Sequence, residues 1–252
     1  MDSKILALTG KGGVGKTSLS AMIVKILSET YPNKKILAID ADSAIGLATA
    51  LGVQVNLTLD DIRTEIIDTV EGGDSKTALE LVGESRYKIA EAIVEKDNFA
   101  FLAIGRPEGK GCYCRINSYL KNVIEMVSNQ FDYIIIDCEA GIEQVNRRVI
   151  EKISHLILVS DASRKGIEVI QSISKVASEA VQYDKIACIF NRIEDESLLD
   201  YADMEEIPCI GVVKSNAEIA KFDATAKDFM RLSAENEALQ TVREALKQFA
   251  LL

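Results

Sequence analysis

Residues 10–17 read GKGGVGKT, which fits the pattern G-x-x-x-x-G-K-[S/T]. The segment lies between the apolar run KILAL at 4–8 and a helix-period stretch that begins at residue 16. No other feature constrains the fold so strongly, because such a loop works only between a strand and a helix. Glycines let the backbone turn its N–H groups inward around phosphate oxygens, and the following helix adds the positive end of its dipole. Gly12, Gly13, Val14, Gly15, Lys16, Thr17 and Ser18 are therefore expected to bind a nucleotide. Lys16 should reach the β- and γ-phosphates, and the Thr17 hydroxyl should hold Mg²⁺.

The rest of the chain fits that start. Apolar runs at 4–8, 35–40, 99–105, 133–137, 155–160, 185–190 and 209–213 are continuous rather than alternating, as in strands buried on both faces of a parallel sheet. Helix-period stretches lie between them at 16–29, 116–129, 143–152, 165–181 and 234–250. Strand–helix alternation along the whole chain implies an α/β, doubly wound, mostly parallel sheet flanked by helices. Region 54–98 is polar and is expected to form helices outside the sheet. With 3 prolines, no internal repeat and no linker composition, residues 1–252 read as one domain.

Charge narrows the partners. The net charge of −10 disfavours nonspecific binding to nucleic acid, which draws most of its affinity from phosphate neutralisation. No run reaches the roughly 20 apolar residues of a membrane span, and MDSK leads directly into a strand-like run, so a cytoplasmic protein without membrane association is expected. Five cysteines, an odd number, suit reduced thiols or metal ligands better than a disulfide framework.

Lys11 adds a second lysine to the loop, and KGGVGKT resembles the deviant Walker A loop of the MinD/ParA-like ATPases, a group that includes nitrogenase iron protein and several metallochaperones. The resemblance implies a nucleotide-dependent homodimer that hydrolyses ATP to ADP with Mg²⁺, in which Lys11 reaches the partner's nucleotide. A cation supplied in trans would stabilise the transferring phosphoryl group as an arginine finger does. It also implies that Asp42, in AIDADSAIG, orients the attacking water, and that Asp137, in FDYIIIDCEAGIE, lies near Mg²⁺ with Glu139–Gly141 as a second switch. Asn191 and Arg192, in FNRIED, resemble the adenine-recognition segment, and Val213 falls in the strand and loop that contact base and ribose. Glu194 stands where a GTPase has its guanine-reading aspartate, so GTP stays open beside ATP.

Cys112 and Cys114, in GKGCYC, form a C-x-C pair. Two thiolates cannot complete a tetrahedral site, whereas two copies about a dimer axis supply four. GCYC in a chain with this phosphate loop resembles the CooC-type nickel-insertion ATPases. That resemblance implies Ni²⁺ or Zn²⁺ on Cys112 and Cys114 and a nickel-containing carbon monoxide dehydrogenase or acetyl-CoA synthase as partner. The alternative is a MinD/ParA-like positioning or partition ATPase with no metal role. An iron–sulfur reductase, which needs cysteines at two separated positions per subunit, stays open through Cys138 together with Cys112 and Cys114. Cys138, Cys188 and Cys209 otherwise read as core thiols, and His155 as a structural histidine with its hydrogen bonds made. The amphipathic stretch at 234–250 is expected to pack on the sheet rather than on lipid.

Overall fold

In the computed structural model, residues 3–42, 44–71, 84, 87–105, 122, 124–139, 152–180, 182–201 and 207–252 are described. The strands β1 (Lys4–Gly10), β2 (Ile36–Asp40), β3 (Val94–Glu95), β4 (Ala100–Ala103), β5 (Tyr133–Asp137), β6 (Lys152–Ser160), β7 (Gln182–Ile193) and β8 (Cys209–Lys214) form one sheet. Its order is β3-β4-β2-β5-β1-β6-β7-β8. Every pairing is parallel except that of β3 with β4. Among the described residues the helices with full bounds are α1 (Lys16–Thr30), α2 (Gly46–Ala50), α3 (Leu59–Glu71), α4 (Arg164–Ala180), α5 (Ala217–Ala224) and α6 (Glu237–Gln248), and residues 87–92 and 124–128 are helical too.

The continuous apolar runs are buried on both faces because each face has its own helical cover. On one side Leu6, Leu8, Ile135, Ile157 and Ile189 pack with Leu19, Ile23 and Leu27 of α1 and Leu239, Val242 and Leu246 of α6. On the other, Leu37, Ile39, Ile134, Leu156 and Leu158 pack with Ile62 and Ile66 of α3 and Ile167 and Ile170 of α4. Each buried Leu or Ile is worth roughly 1.5–3 kcal/mol, so the two layers hold the central strands against the cost of ordering them. Helix α1 lies deepest: beyond its apolar residues, Ser18, Ser20, Lys25 and Ser28 are buried too. Lys25 donates there to the Met230 carbonyl at 3.0 Å and pairs with Glu29.

All seven expected strands are present. β3 is additional, and at two residues it is too short to leave a pattern in sequence. It also changes the reading of region 54–98, which contributes a strand to the sheet and, through α3, part of the core rather than lying wholly outside. The expected helix 143–152 overruns, since Lys152 already belongs to β6; residues 140–151 lie outside the described set. Of 116–129, residues 124–128 are helical. Helix α6 turns Ala238, Leu239, Val242, Ala245 and Leu246 into the core, each at most 3% exposed, so this apolar stripe is spoken for by the sheet. Among the described residues no helix is long and apolar enough to cross a membrane.

Cys138 and Cys188 are core thiols as expected, but Cys209 is exposed, because it opens the edge strand β8. His155 is 6% exposed, meets the edge of Phe249 and shares a 2.8 Å hydrogen bond between Nδ1 and Ser154 Oγ. Its Nε2 has no side-chain or backbone partner among the described residues, so only half of its expected hydrogen bonding is present. Burial, followed by the nearby charges of Lys185 and Lys4, lowers its pKa to about 4.

Candidate functional site

The central strands β1, β2 and β5 deliver the loop and two carboxylates to one edge of the sheet, where their C-terminal ends form the crevice that open α/β sheets use for ligands. The loop after β1 is shaped by glycine where no other residue fits. Gly10 runs so close to β6 that an added Cβ would lie 2.0 Å from the Val159 carbonyl oxygen. Gly15 has φ +88°, and a Cβ there would meet Asn191 Nδ2 at 2.6 Å. Gly15 is also the N-cap of α1, so that helix starts with no side-chain cap and no acid in its first turn. Helix N-termini ordinarily satisfy their free N–H groups with Ser, Thr, Asp or Asn. Here those donors and the dipole are left facing the loop, the arrangement that binds phosphate.

Lys16 is buried and folds back over the loop, donating to the carbonyls of Gly10 at 3.4 Å and Lys11 at 3.3 Å. Both contacts are long and made to neutral carbonyls, and the charge that acts on the ammonium comes from the Asp137 carboxylate. Beneath it, Asp40 and Asp137 face each other in the β2–β5 register, both buried. Burial and then the neighbouring Asp137 charge raise Asp40 to about 7, although it accepts from the Asp42 and Leu47 amides at 3.1 and 2.8 Å. Asp137 rises to about 6, chiefly from burial, with the Thr17 and Ser20 hydroxyls and Lys16 opposing. Its Oδ1 accepts from Ser20 Oγ at 3.1 Å, while the buried Oδ2 has no hydrogen-bond partner among the described residues. A buried, unpaired carboxylate oxygen costs free energy unless a cation meets it. Mg²⁺ takes few protein ligands and keeps waters and phosphates for the rest, so an Asp137 oxygen beside the Thr17 hydroxyl fits that ion.

Asp42 accepts from the Ala44 amide at 2.9 Å, and Ile45 follows with φ +50° in the left-handed region. The segment between β2 and α2 is therefore a tight turn closed by the expected water-orienting carboxylate. A few residues on, Gly46 lies against Thr17, where a Cβ would come within 3.5 Å of the Thr17 methyl. Lys11 does not point into the loop. Its ammonium pairs with Asp161 at 2.7 Å and reaches Ser163 Oγ at 3.2 Å, just beyond β6. Against the cost of burial, the hydrogen bonds from Lys11 and Ser163 hold the Asp161 carboxyl below its usual range.

The base-side residues come to the same place. Asn191 Nδ2 donates to the Val14 carbonyl at 2.8 Å and Arg192 Nη1 to the Gly13 carbonyl at 2.9 Å, so both side chains brace the loop. Arg192 does so at φ +60°, a strained setting for a non-glycine residue. Beside them an open cavity of about 690 Å³ is lined by Ser18, Met22, Asn191, Arg192, Val213 and Asp223. Its volume lies within the usual range for small-ligand sites.

The structure thus brings together Lys11, Gly12, Gly13, Val14, Gly15, Lys16, Thr17, Ser18, Asp42, Asp137, Asn191, Arg192 and Val213 around one loop and its flank. Cys112, Cys114 and the second-switch residues after Glu139 lie outside the described residues. Three residues that sequence reasoning missed are Ser20, Asp40 and Asp161. Ser20 sits one helical turn beyond Thr17 and so shares its face, a signal that was available. Asp40 was visible as a strand-ending acid, but its partnership with Asp137 depends on register. Asp161 is 150 positions from Lys11, and only the fold joins them.

A family model described as AAA domain matches residues 3–187. An uncharacterized ATP-binding protein of Methanocaldococcus jannaschii is 36% identical over 244 residues, covering 95% of this chain and 96% of that protein. The septum site-determining protein MinD of Synechocystis is 27% identical over 232 residues, covering 87% and 78%. Among solved structures, a ParA family ATPase from Chlorobium tepidum has a TM-score of 0.69 at 17% identity, covering 97% of this chain and 99% of that one. MinD of Aquifex aeolicus has a TM-score of 0.66 at 20% identity, covering 98% and 97%.

These likenesses correct the metal expectation. The carbon monoxide dehydrogenase accessory protein CooC of Rhodospirillum rubrum is 27% identical, but over 183 residues and 69% of this chain. MinD matches at the same identity over more of the chain, so the resemblance is not specific to nickel insertion. Among the described residues no group of three or more His, Cys, Asp or Glu is placed to hold a metal ion. A C-x-C pair supplies two ligands per chain and completes a site only across a dimer, so the nickel reading rested on the CooC resemblance, and the MinD and ParA likenesses outweigh that. The Ni²⁺ or Zn²⁺ assignment and the carbon monoxide dehydrogenase or acetyl-CoA synthase partnership are withdrawn with it.

Proposed function

Because the chain belongs to the AAA domain family of P-loop ATPases and has the MinD/ParA fold, we propose that it is a positioning- or partition-type switch ATPase, dimeric with ATP and monomeric after hydrolysis. The observation that carries this reading is the open start of α1, uncapped and without an acid, set against the orphaned carboxylate oxygen of Asp137. One asks for phosphate and the other for a cation, and ATP with Mg²⁺ answers both.

In this reading the amides of residues 12–18 bind the phosphates and Lys16 leaves the loop carbonyls for the β- and γ-oxygens. The Thr17 hydroxyl and Asp137 would hold Mg²⁺, which supplies charge neutralisation on the phosphates when bound. Asp42 leaves its turn to orient the attacking water. Asn191, Arg192 and Val213 flank the base in the adjoining cavity. Lys11 exchanges Asp161 for the nucleotide of a second copy, so that hydrolysis waits on dimerisation. With the stripe of α6 buried and a net charge of −10, the signal passes to another protein rather than to lipid or DNA.

Light scattering in MgATP and in MgADP tests this. The wild-type mass doubles with ATP, and Lys11→Ala stays monomeric while still binding ADP. A Lys11→Ala protein that dimerises and turns over like the wild type would end the reading.

A further inference from the structure

Strands β7 and β8 place Cys188 and Cys209 opposite each other in register. The next pair is Ile189 with Gly211, so Ile210 is the extra residue of a β-bulge. The bulge sets Cys209 on the same face as Cys188, and the Pro208 carbonyl accepts from the Cys188 amide at 2.9 Å. Neighbouring strands run about 4.8 Å apart, within the Cα separation of roughly 4.4–6.8 Å that a disulfide bridges. The two thiols differ in access: Cys188 is fully buried and Cys209 is exposed at the sheet edge.

We propose that Cys188 and Cys209 form a reversible modification site that reacts with low-molecular-weight disulfides by thiol–disulfide exchange. The division of labour follows from exposure. Cys209 loses its proton and attacks one sulfur of the small disulfide; a mixed disulfide forms, the small S–S bond breaks, and the departing thiolate takes up a proton. Cys188 then loses its proton and attacks Cys209 Sγ, forming the Cys188–Cys209 bond and releasing the second small thiol. Two protein thiols are oxidised and one small disulfide is reduced to two thiols. Facing Cys188 holds the Cys209 thiol below the usual thiol range, while the same pairing and burial push Cys188 up. The accessible sulfur is thus the better-ionised nucleophile, and the buried one waits for the mixed disulfide beside it. The loop that the bond would close runs from 188 to 209 and contains Asn191 and Arg192, which brace the phosphate loop. Bulge and cysteine pair together therefore place a covalent tie at the root of that segment.

Full-length reduced protein is exposed to oxidised glutathione near neutral pH, quenched with acid, denatured, alkylated and mapped by mass spectrometry. The expected product is one linked peptide pair joining Cys188 to Cys209, two hydrogens lighter than the reduced pair and restored by dithiothreitol. Cys209 should react at least about tenfold faster than buried Cys138. Cys188→Ala should instead accumulate a lasting glutathione adduct on Cys209, and Cys209→Ser should leave Cys188 a free thiol. A wild-type protein that keeps both thiols alkylatable, or that holds a lasting adduct on Cys209 with Cys188 still free, overturns the proposal.

Discussion

Two helix starts in this molecule are built in opposite ways. Helix α6 begins at Asn236, whose Oδ1 accepts from the amides of Ala238 and Leu239 at 3.0 and 3.2 Å. The Asn236 amide group then donates to Glu218 at 2.8 Å and Asn216 at 3.3 Å, tying this cap to the one on α5. Helix α1 begins at Gly15 with no cap at all, above two buried acids whose protonation burial favours. The first arrangement completes its hydrogen bonds inside the protein. The second leaves an uncapped helix start and an unpaired carboxylate oxygen on either side of a lysine held only by long contacts to loop carbonyls, all within one crevice. Local rules are obeyed where the chain needs only stability and broken where a ligand is to complete the structure.

The largest expected effect falls on the open side. Lys16→Ala should lower ATP turnover by more than about a hundredfold, as loss of a charge aimed at the transferring phosphate does. Steady-state phosphate release measures it, and undiminished turnover would remove the loop's assigned role.

Next comes pH. Asp137 has a folded pKa near 6 against an unfolded value of 3.8. Between those values the folded state binds more protons than the unfolded one, so stability falls as pH rises. The shift corresponds to about 3 kcal/mol lost from apo protein by neutral pH. Asp137→Asn should flatten that part of the curve in urea midpoints taken between about pH 4.5 and 7.5. His155 acts in the other direction, its folded pKa near 4 adding stability as pH rises toward 6.5, but it is common to both proteins and drops out of the difference, whereas Asp40, raised to about 7 partly by the Asp137 charge, falls in the variant and flattens the curve further. Equal slopes in wild type and variant would contradict the strain placed at Asp137.

The smallest effect lies on the closed side. Asn236→Ala should cost about 1–2 kcal/mol in chemical unfolding and leave ATP turnover within about twofold of wild type, since α6 starts away from the crevice. A variant that loses turnover in step with stability would blur the contrast between the two helix starts.

Both sides were legible as elements, the phosphate loop before α1 and the 234–250 helix with its core-facing stripe, while the contacts that tie distant elements together were not. Gly10–Thr17 announces itself, because phosphate binding demands glycines, a lysine and a hydroxyl at fixed spacing. The seven principal strands were legible because parallel strands buried on both faces are apolar throughout. Register was not legible, and several findings hang on it: the Asp40–Asp137 pair, the Lys11–Asp161 contact and the Cys188–Cys209 bulge each join residues that the chain keeps far apart. β3 was silent because two residues carry no period. Cys209 was misread as core because an apolar run does not say whether its strand is central or at the edge. The C-x-C pair misled for the opposite reason: it is conspicuous locally, but two ligands at one spacing do not make a site.

Amide hydrogen exchange with and without MgADP tests the central contrast most directly. The account predicts that MgADP slows exchange sharply over residues 13–20, at the start of α1, and leaves 237–241, at the start of α6, unchanged. Equal protection at both starts, or none at residues 13–20 under saturating MgADP, would contradict it.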